Sequence, residues 1–303
     1  MKHLLKLLDH SADEIYELLE LAGKLKFELK SGIAHPVLQG KTLGMIFEKA
    51  STRTRVSFEV GMKQLGGQGL FLSSNDLQIG RGEPVEDTAR VLSRYLDGIM
   101  IRTFKQETVE TLATYGSIPV INGLTDMYHP CQILADLLTI KEYKKNLEGL
   151  TACFIGDGGN NMANSLAVGC LKTGMTFNIA APDDVRPAKE VLDFAEGFKG
   201  KLNFFSDPHA AAKDADVLLT DVWASMGQES ETPERQLKFS AYQINEQLMK
   251  NAKPDAMVLH CLPAHRGEEI TAETFEKHAA EIFDEAENRL HAQKAVMVTL
   301  MSK

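Results

Sequence analysis

Nine short apolar runs alternate with longer amphipathic segments, and that alternation limits what this chain can fold into. The runs lie near 42–48, 69–73, 97–102 and 118–121, then near 151–156, 175–180, 201–205, 216–220 and 256–259. Continuous runs such as Leu43 to Phe47 or Val217 to Leu219 suit buried strands of parallel sheets. The segments between them carry helix signals. Ser11 and Glu14 make a capping box ahead of Ile15, Leu18, Leu19, Ala22 and Leu25. Phe58, Met62 and Leu65 recur at helical spacing before Gly66 and Gly67 stop the pattern. The expected fold class is α/β.

A chain of 303 residues is long for one core and suits two domains. The strands divide accordingly. We expect domains over 1–146 and 147–285, each an open parallel sheet flanked by helices, with a final helix over 286–303 packing back on the first domain. A helix near 130–145 bridges the halves, and the polar, weakly periodic stretch 226–240 reads as a mobile loop. The active site is expected in the cleft between the domains.

Open parallel sheets bind ligands beyond the carboxyl ends of their strands, and polar residues gather at those positions here. After the first strand comes Ser51-Thr52-Arg53-Thr54-Arg55, the first turn of a helix. There the unpaired backbone N–H groups and the helix dipole favour an anion, to which hydroxyl and guanidinium donors are added. Later strands run into Arg102-Thr103, into Asn122-Gly123 ahead of His129-Pro130-Cys131-Gln132, and into Gly156-Asp157-Gly158-Gly159-Asn160-Asn161. The last two lead to Asp221-Val222-Trp223-Ala224-Ser225-Met226-Gly227 and His260-Cys261-Leu262-Pro263. The first half thus offers cationic and neutral donors, and the second a carboxylate, amides, a hydroxyl and a thiol. That division suggests an anion on one side and an amine on the other. Each residue alone has a plainer reading. Ser51, Asn160 and Asn161 read as caps, Arg102 and Arg289 as solvated cations, and His129 as a turn residue. Asp221 reads as a loop start, Met226 as filler and Cys261 as a small buried residue.

A net charge of −9 argues against a general nucleic-acid or membrane-surface binder. No run approaches the roughly 18 apolar residues of a membrane span. The four cysteines, Cys131, Cys153, Cys170 and Cys261, form no CxxC pair. Neither a metal site nor a disulfide framework is indicated, and the cytoplasm is the default compartment. A NAD-dependent oxidoreductase is a competing reading of Gly156-Asp157-Gly158. The dinucleotide fingerprint, however, requires glycine where this chain has Asn161. A non-enzymatic amino-acid sensor would explain a polar cleft but not the polarising donors.

Taken together, Ser51 to Arg55, Ile101-Arg102-Thr103, His129 to Gln132, Asp221 to Glu229 and His260 to Gly267 resemble the aspartate/ornithine transcarbamylase family. The last two motifs resemble its ornithine-using branch, and the likeness spans essentially the whole chain. It implies carbamoyl transfer from carbamoyl phosphate to the δ-amine of L-ornithine, giving L-citrulline and phosphate, with no cofactor and no metal. Putrescine, N-acetylornithine or aspartate are alternative acceptors. By motif, Ser51, Thr52, Arg53 and Thr54 would hold phosphate, with Arg102, His129, Gln132 and Arg289 reaching the phosphate or carbamoyl group. Arg53, Arg102, His129, Gln132 and Cys261 form the implied catalytic set. Cys261 and the carbonyl of Leu262 are counted with the carbamoyl phosphate site and face the δ-amine. Asn161, Asp221, Ser225 and Met226 match the positions that hold ornithine. Gln78 matches a loop lent to a neighbouring subunit in a homotrimer. Cys131 departs from the threonine of many members, and the chain is short for the family, which implies trimmed loops and no added terminal helix.

Overall fold

The computed structural model describes residues 1–224 and 231–302. It divides into two compact units, Met1–Leu138 with Asn288–Lys303, and Thr139–Glu287. The helices Pro130–Lys144 and Ala279–Met301 each run from one unit into the other.

The first unit holds a parallel sheet of β1 (Thr42–Phe47), β2 (Gln68–Ser73), β3 (Gly98–Arg102) and β4 (Val120–Leu124), in the order β2-β1-β3-β4. The second holds β5 (Thr151–Ile155), β6 (Thr176–Ala180), β7 (Leu202–Phe205), β8 (Val217–Thr220) and β9 (Met257–His260), in the order β7-β6-β5-β8-β9, again all parallel. The nine apolar runs are therefore the nine strands found among the described residues. Helices cover the sheets because a parallel connection needs a crossover and both sheet faces need burial. In the first unit Ile46, Ile99, Ile101 and Val120 pack against Val109 and Leu112 of the helix Gln106–Tyr115. In the second, Ile155, Leu218 and Val258 share a core with Trp223, Phe239 and Phe275. A carboxylate caps the start of one strand in each sheet: Asp97 accepts from the Thr42 N–H at 2.8 Å and Asp216 from the Thr151 N–H at 2.9 Å.

Strand order places the chemistry. From β1 the chain first builds one side of the sheet (β2) and then the other (β3, β4), so the connections diverge between β1 and β3. In the second unit they diverge between β5 and β8. Such switch points leave a crevice at the carboxyl ends of the strands. Phe47 pairs with Arg102 at the first, and β5 and β8 end at Ile155 and Thr220 at the second.

The capping box is formed, with the Glu14 carboxylate accepting from the Ser11 N–H at 2.9 Å and Ser11 Oγ from the Glu14 N–H at 3.1 Å. The structure differs from the sequence expectation at two places. Residues 232–239, read as part of a loop, form the helix Thr232–Phe239. A proline in its first turn starts it, Phe239 buries its end, and Arg235 pairs with Asp157 and donates to the Trp223 carbonyl. The final helix begins at Ala279, earlier than expected. Among the described residues, no helix is long and apolar enough to cross a membrane.

Candidate active site

In the first unit the turn Ser51–Arg55 opens the helix Thr52–Gln64 four residues beyond β1. Ser51 is extended and caps it: its Oγ accepts from the Thr54 N–H at 3.3 Å and donates to Thr54 Oγ1 at 3.1 Å. The cap fixes the turn so that its remaining N–H groups point along the helix axis, the arrangement an oxyanion requires. The two arginines part company. Arg53 is half-buried, while Arg55 is exposed, stacks over Phe71 at 3.8 Å and pairs with Glu59 at 3.5 Å.

Arg102 ends β3 and is buried; its carbonyl accepts from the Glu48 N–H at 2.9 Å, which holds the two strand ends together. His129 is buried at the start of the helix Pro130–Lys144. Burial, and then the charges of Arg289, Arg102 and Arg53, hold its imidazole well below the usual histidine range. Three guanidinium groups from three parts of the chain therefore act on one neutral imidazole. Such a group can donate an N–H to a carbonyl oxygen but carries no proton to give away. Arg289, which alone reads as a solvated helix residue, is buried and donates to Gln132 Oε1 at 2.7 Å and Thr54 Oγ1 at 3.2 Å. Gln132 Nε2 donates to Asp136 Oδ1 at 2.8 Å.

In the second unit the loop after β5 turns on its glycines into the helix Asn161–Lys172. Asn160 is the cap, its Oδ1 accepting from the Ala163 N–H at 2.9 Å, and its Nδ2 donates to Asp221 Oδ2 at 3.3 Å. Asp221, just past β8, is buried; its Oδ1 accepts from the Val222 N–H at 2.8 Å and the Cys261 thiol at 3.1 Å. Burial is the main cause that raises its carboxyl above the ordinary value; His260, Cys261 and the Val222 N–H pull the other way. Cys261 and Leu262 follow β9, with Leu262 at φ 58° and a cis peptide to Pro263. The Leu262 N–H donates to His260 Nδ1 at 2.9 Å, so His260 carries its proton on Nε2, 2.9 Å from Glu269 Oε1.

Within the first unit the structure brings Thr54, Arg53, Arg102, His129, Gln132 and Arg289 into one cluster. Within the second it joins Asn160, Asp221 and Cys261, with Asn161 next to the cap. Gln78 stands exposed in the 3-10 turn Gln78–Arg81. Ser225 and Met226 lie outside the described residues. The cap read at Asn160 is formed, but nothing in the sequence pointed to Asp136, Gln293 or Glu269, nor to the pairing of Asn160 with Asp221 and of His260 with Glu269. The His260–Glu269 pair was hidden because both are fully enclosed. One trio that could hold a metal, His265, Glu268 and Glu269, occurs among the described residues. Glu269 Oε1 is occupied by His260 and by the His265 N–H at 2.6 Å, and Glu268 Oε1 accepts from Gln236 at 2.9 Å. These contacts make the trio a loop anchor.

Residues 2–142 match the family description "Aspartate/ornithine carbamoyltransferase, carbamoyl-P binding domain", and residues 148–300 match "Aspartate/ornithine carbamoyltransferase, Asp/Orn binding domain". A relative from Oceanobacillus iheyensis named ornithine carbamoyltransferase is 57% identical over 302 residues, covering 98% of this chain and 94% of its own length. One of the same name from Archaeoglobus fulgidus is 51% identical over 303 residues, covering 100% and 98%. Among solved structures, ornithine carbamoyltransferase from Pyrococcus furiosus has a TM-score of 0.94 at 50% identity, covering 99% of this chain and 97% of that one. Anabolic ornithine carbamoyltransferase from Campylobacter jejuni has a TM-score of 0.93 at 46% identity, covering 99% of each.

Proposed function

The chain belongs to the aspartate/ornithine carbamoyltransferase family, and we propose that it transfers the carbamoyl group of carbamoyl phosphate to the δ-amine of L-ornithine. The observation that carries this reading is the set of three guanidinium groups, Arg102 and Arg289 buried and Arg53 half-buried, that act on a neutral His129 beside a capped helix N-terminus. That chemistry suits a compact polyanion attached to a carbonyl. Ser51, Thr52, Arg53 and Thr54 hold the phosphate. Arg102, Gln132 and Arg289 flank the phosphate and carbamoyl group, and His129 donates to the carbonyl oxygen. In the second unit Asp221, with Asn161, Ser225 and Met226, holds the α-amino and α-carboxylate ends of ornithine. Cys261 and the Leu262 carbonyl face the δ-amine.

The reaction balances simply. The δ-nitrogen must first be neutral, and a free alkyl amine of this kind titrates near ~10.4; removal from water lowers that value. Its lone pair attacks the carbamoyl carbon and a C–N bond forms. Negative charge gathers on the carbonyl oxygen, where His129 and the guanidinium donors stabilise it. As the C=O bond re-forms, the bond between the carbamoyl carbon and the bridging oxygen breaks, its electron pair leaves with phosphate, and the amine proton passes to the departing phosphate. Citrulline and phosphate remain. The leaving group is already activated, so the residues present suffice for each step.

The proposal extends to a homotrimer in which the exposed Gln78 turn of one copy completes the next copy's site, and to arginine formation in the cytoplasm. The direct test is a panel of ornithine, putrescine, N-acetylornithine and aspartate with carbamoyl phosphate, following the carbamoylated product. Citrulline formation with at least ~100-fold preference for ornithine is expected, the scale on which a site built for a polar group rejects analogues lacking it. Equal or faster turnover of another acceptor would replace ornithine in this reading.

A further inference from the structure

Resting on the carbamoyl phosphate reading, we infer that Asp136 and Gln293 are positioning residues that fix how Gln132 and Arg289 face the anion. Asp136 is fully buried one helical turn beyond Gln132. The Gln132 amide is held between it and Arg289: Nε2 donates to Asp136 Oδ1 at 2.8 Å and Oε1 accepts from Arg289 Nη1 at 2.7 Å. An ionised carboxylate only accepts and a guanidinium only donates. An amide between them has one workable orientation. Reversed, its oxygen would face a carboxylate and its NH2 a guanidinium, and both hydrogen bonds would be lost inside a buried cluster. The two ends of the row therefore lock the middle.

Gln293 performs the matching task on the other edge of Arg289. It is fully buried one turn further along the final helix. Its amide satisfies its neighbours when Oε1 accepts from Arg289 Nη2 at 2.9 Å and Nε at 3.2 Å, while Nε2 donates to Ser57 Oγ at 2.5 Å. The Ser57 hydroxyl in turn donates to the Arg53 carbonyl at 2.7 Å, on the first turn of the phosphate helix. With Thr54 Oγ1 on Nη2, the guanidinium plane is held on several edges. The row runs from Asp136 through Gln132, Arg289, Gln293 and Ser57 to the backbone of Arg53. All of it belongs to the first unit.

The test exploits polarity. Full-length protein is titrated with carbamoyl phosphate, and in parallel with inorganic phosphate, by calorimetry. Wild type is compared with Gln132→Glu, Asp136→Asn, Gln293→Glu, and Gln132→Glu combined with Asp136→Asn. Gln132→Glu sets one carboxylate against another, so Kd should rise about tenfold or more near pH ~8 and recover toward pH ~6 as the pair takes up a shared proton. Adding Asp136→Asn should restore at least ~5-fold of that loss, because the new amide donates to the glutamate while Arg289 still donates to its other oxygen. Gln293→Glu keeps the acceptor for Arg289 but loses the donor to Ser57, and should weaken binding by about tenfold. A purely structural role predicts losses that multiply in the pair and do not change with pH; either result overturns the inference. If wild type binds carbamoyl phosphate and the pair rescues, but no citrulline forms, the acceptor reading fails and the inference stands. If wild type binds neither anion, both fall.

Discussion

Replacing Asp221 by asparagine should damage ornithine use while leaving the fold as stable as before or more so. The carboxylate is buried, and burial is the largest of the influences that raise its pKa. The folded form therefore holds its proton to a higher pH than the unfolded chain, and stability falls as pH rises from the ordinary carboxylate value through the raised one. In its ionised form Asp221 is thus a load on the empty protein, relieved when an ammonium group arrives. Asparagine removes the load and keeps an oxygen able to accept from the Val222 N–H and the Cys261 thiol, giving up only the long 3.3 Å bond from Asn160 Nδ2. It cannot supply the charge. A hydrogen bond to a charged group contributes about 1.5–3 kcal/mol. At about 1.4 kcal/mol per factor of ten, kcat/KM for ornithine should drop on the order of 10- to 150-fold. The assay is initial-rate citrulline formation with ornithine varied at saturating carbamoyl phosphate, with thermal unfolding measured alongside. KM for carbamoyl phosphate should stay within about twofold, since the interaction lost belongs to the other substrate. Unchanged ornithine kinetics would remove Asp221 from the acceptor site. A lower unfolding midpoint with both substrates affected would make it a structural carboxylate.

Arg53→Ala and Arg102→Ala should each cut kcat by about 10²-fold or more, as for loss of an oxyanion donor; near-normal turnover in steady-state assays would refute their placement. His129→Gln should also lower kcat on that scale, yet wild-type kcat should show no inflexion in the ordinary histidine range, because the imidazole is held neutral there; a step near pH ~6.5 that the variant lacks would contradict this. Lys294 is fully buried, donates to the Leu25 carbonyl and contacts His35, and burial lowers its ammonium to about 8. The unfolded chain then binds more protons than the folded one above that value, so stability should rise with pH between about 8 and 10. Urea midpoints across this range should show the rise in wild type and its loss in Lys294→Met; parallel slopes would refute it.

The inner strands were legible because burial on both faces makes them mostly apolar runs, bracketed by polar or glycine-containing turns, and the more exposed edge strands β2 and β7 stand out by the same brackets. The capped turn Ser51 to Arg55 was legible for a local reason: it lies where a strand gives way to a helix. Long-range polar pairing was not legible. Gln132 and Arg289 are separated by 157 positions, and nothing at either one names the other. Arg289 read as solvated because an arginine on a terminal helix usually is. Its burial follows from packing that brings Gln132, Thr54 and Gln293 around it. Asn160 and Asn161 were equivalent in sequence, and only the start of the helix assigns the cap to Asn160. His260 was equally opaque. Its position before Cys261 gives no sign of its partners, and in the structure Leu262 and Glu269 occupy its two nitrogens.

The two units solve opposite electrostatic problems, and the solutions limit where a proton can go. The first concentrates guanidinium charge, which together with burial holds His129 neutral. A protonated imidazole there would add a fourth cation to three, so the site excludes the one titratable side chain that commonly serves as an acid at neutral pH. The second unit buries a carboxylate whose pKa is raised, which makes it more basic toward an ammonium ion. In the proposed reaction that basicity is engaged at the α-amino end of ornithine, away from the reacting nitrogen. His129 can polarise the carbonyl but not shuttle the proton, because taking it up would oppose the same three guanidinium groups. The one strongly basic species formed at the reacting centre is then the leaving phosphate. In the proposed reaction the same cations that hold His129 neutral therefore also direct the amine proton to the product phosphate.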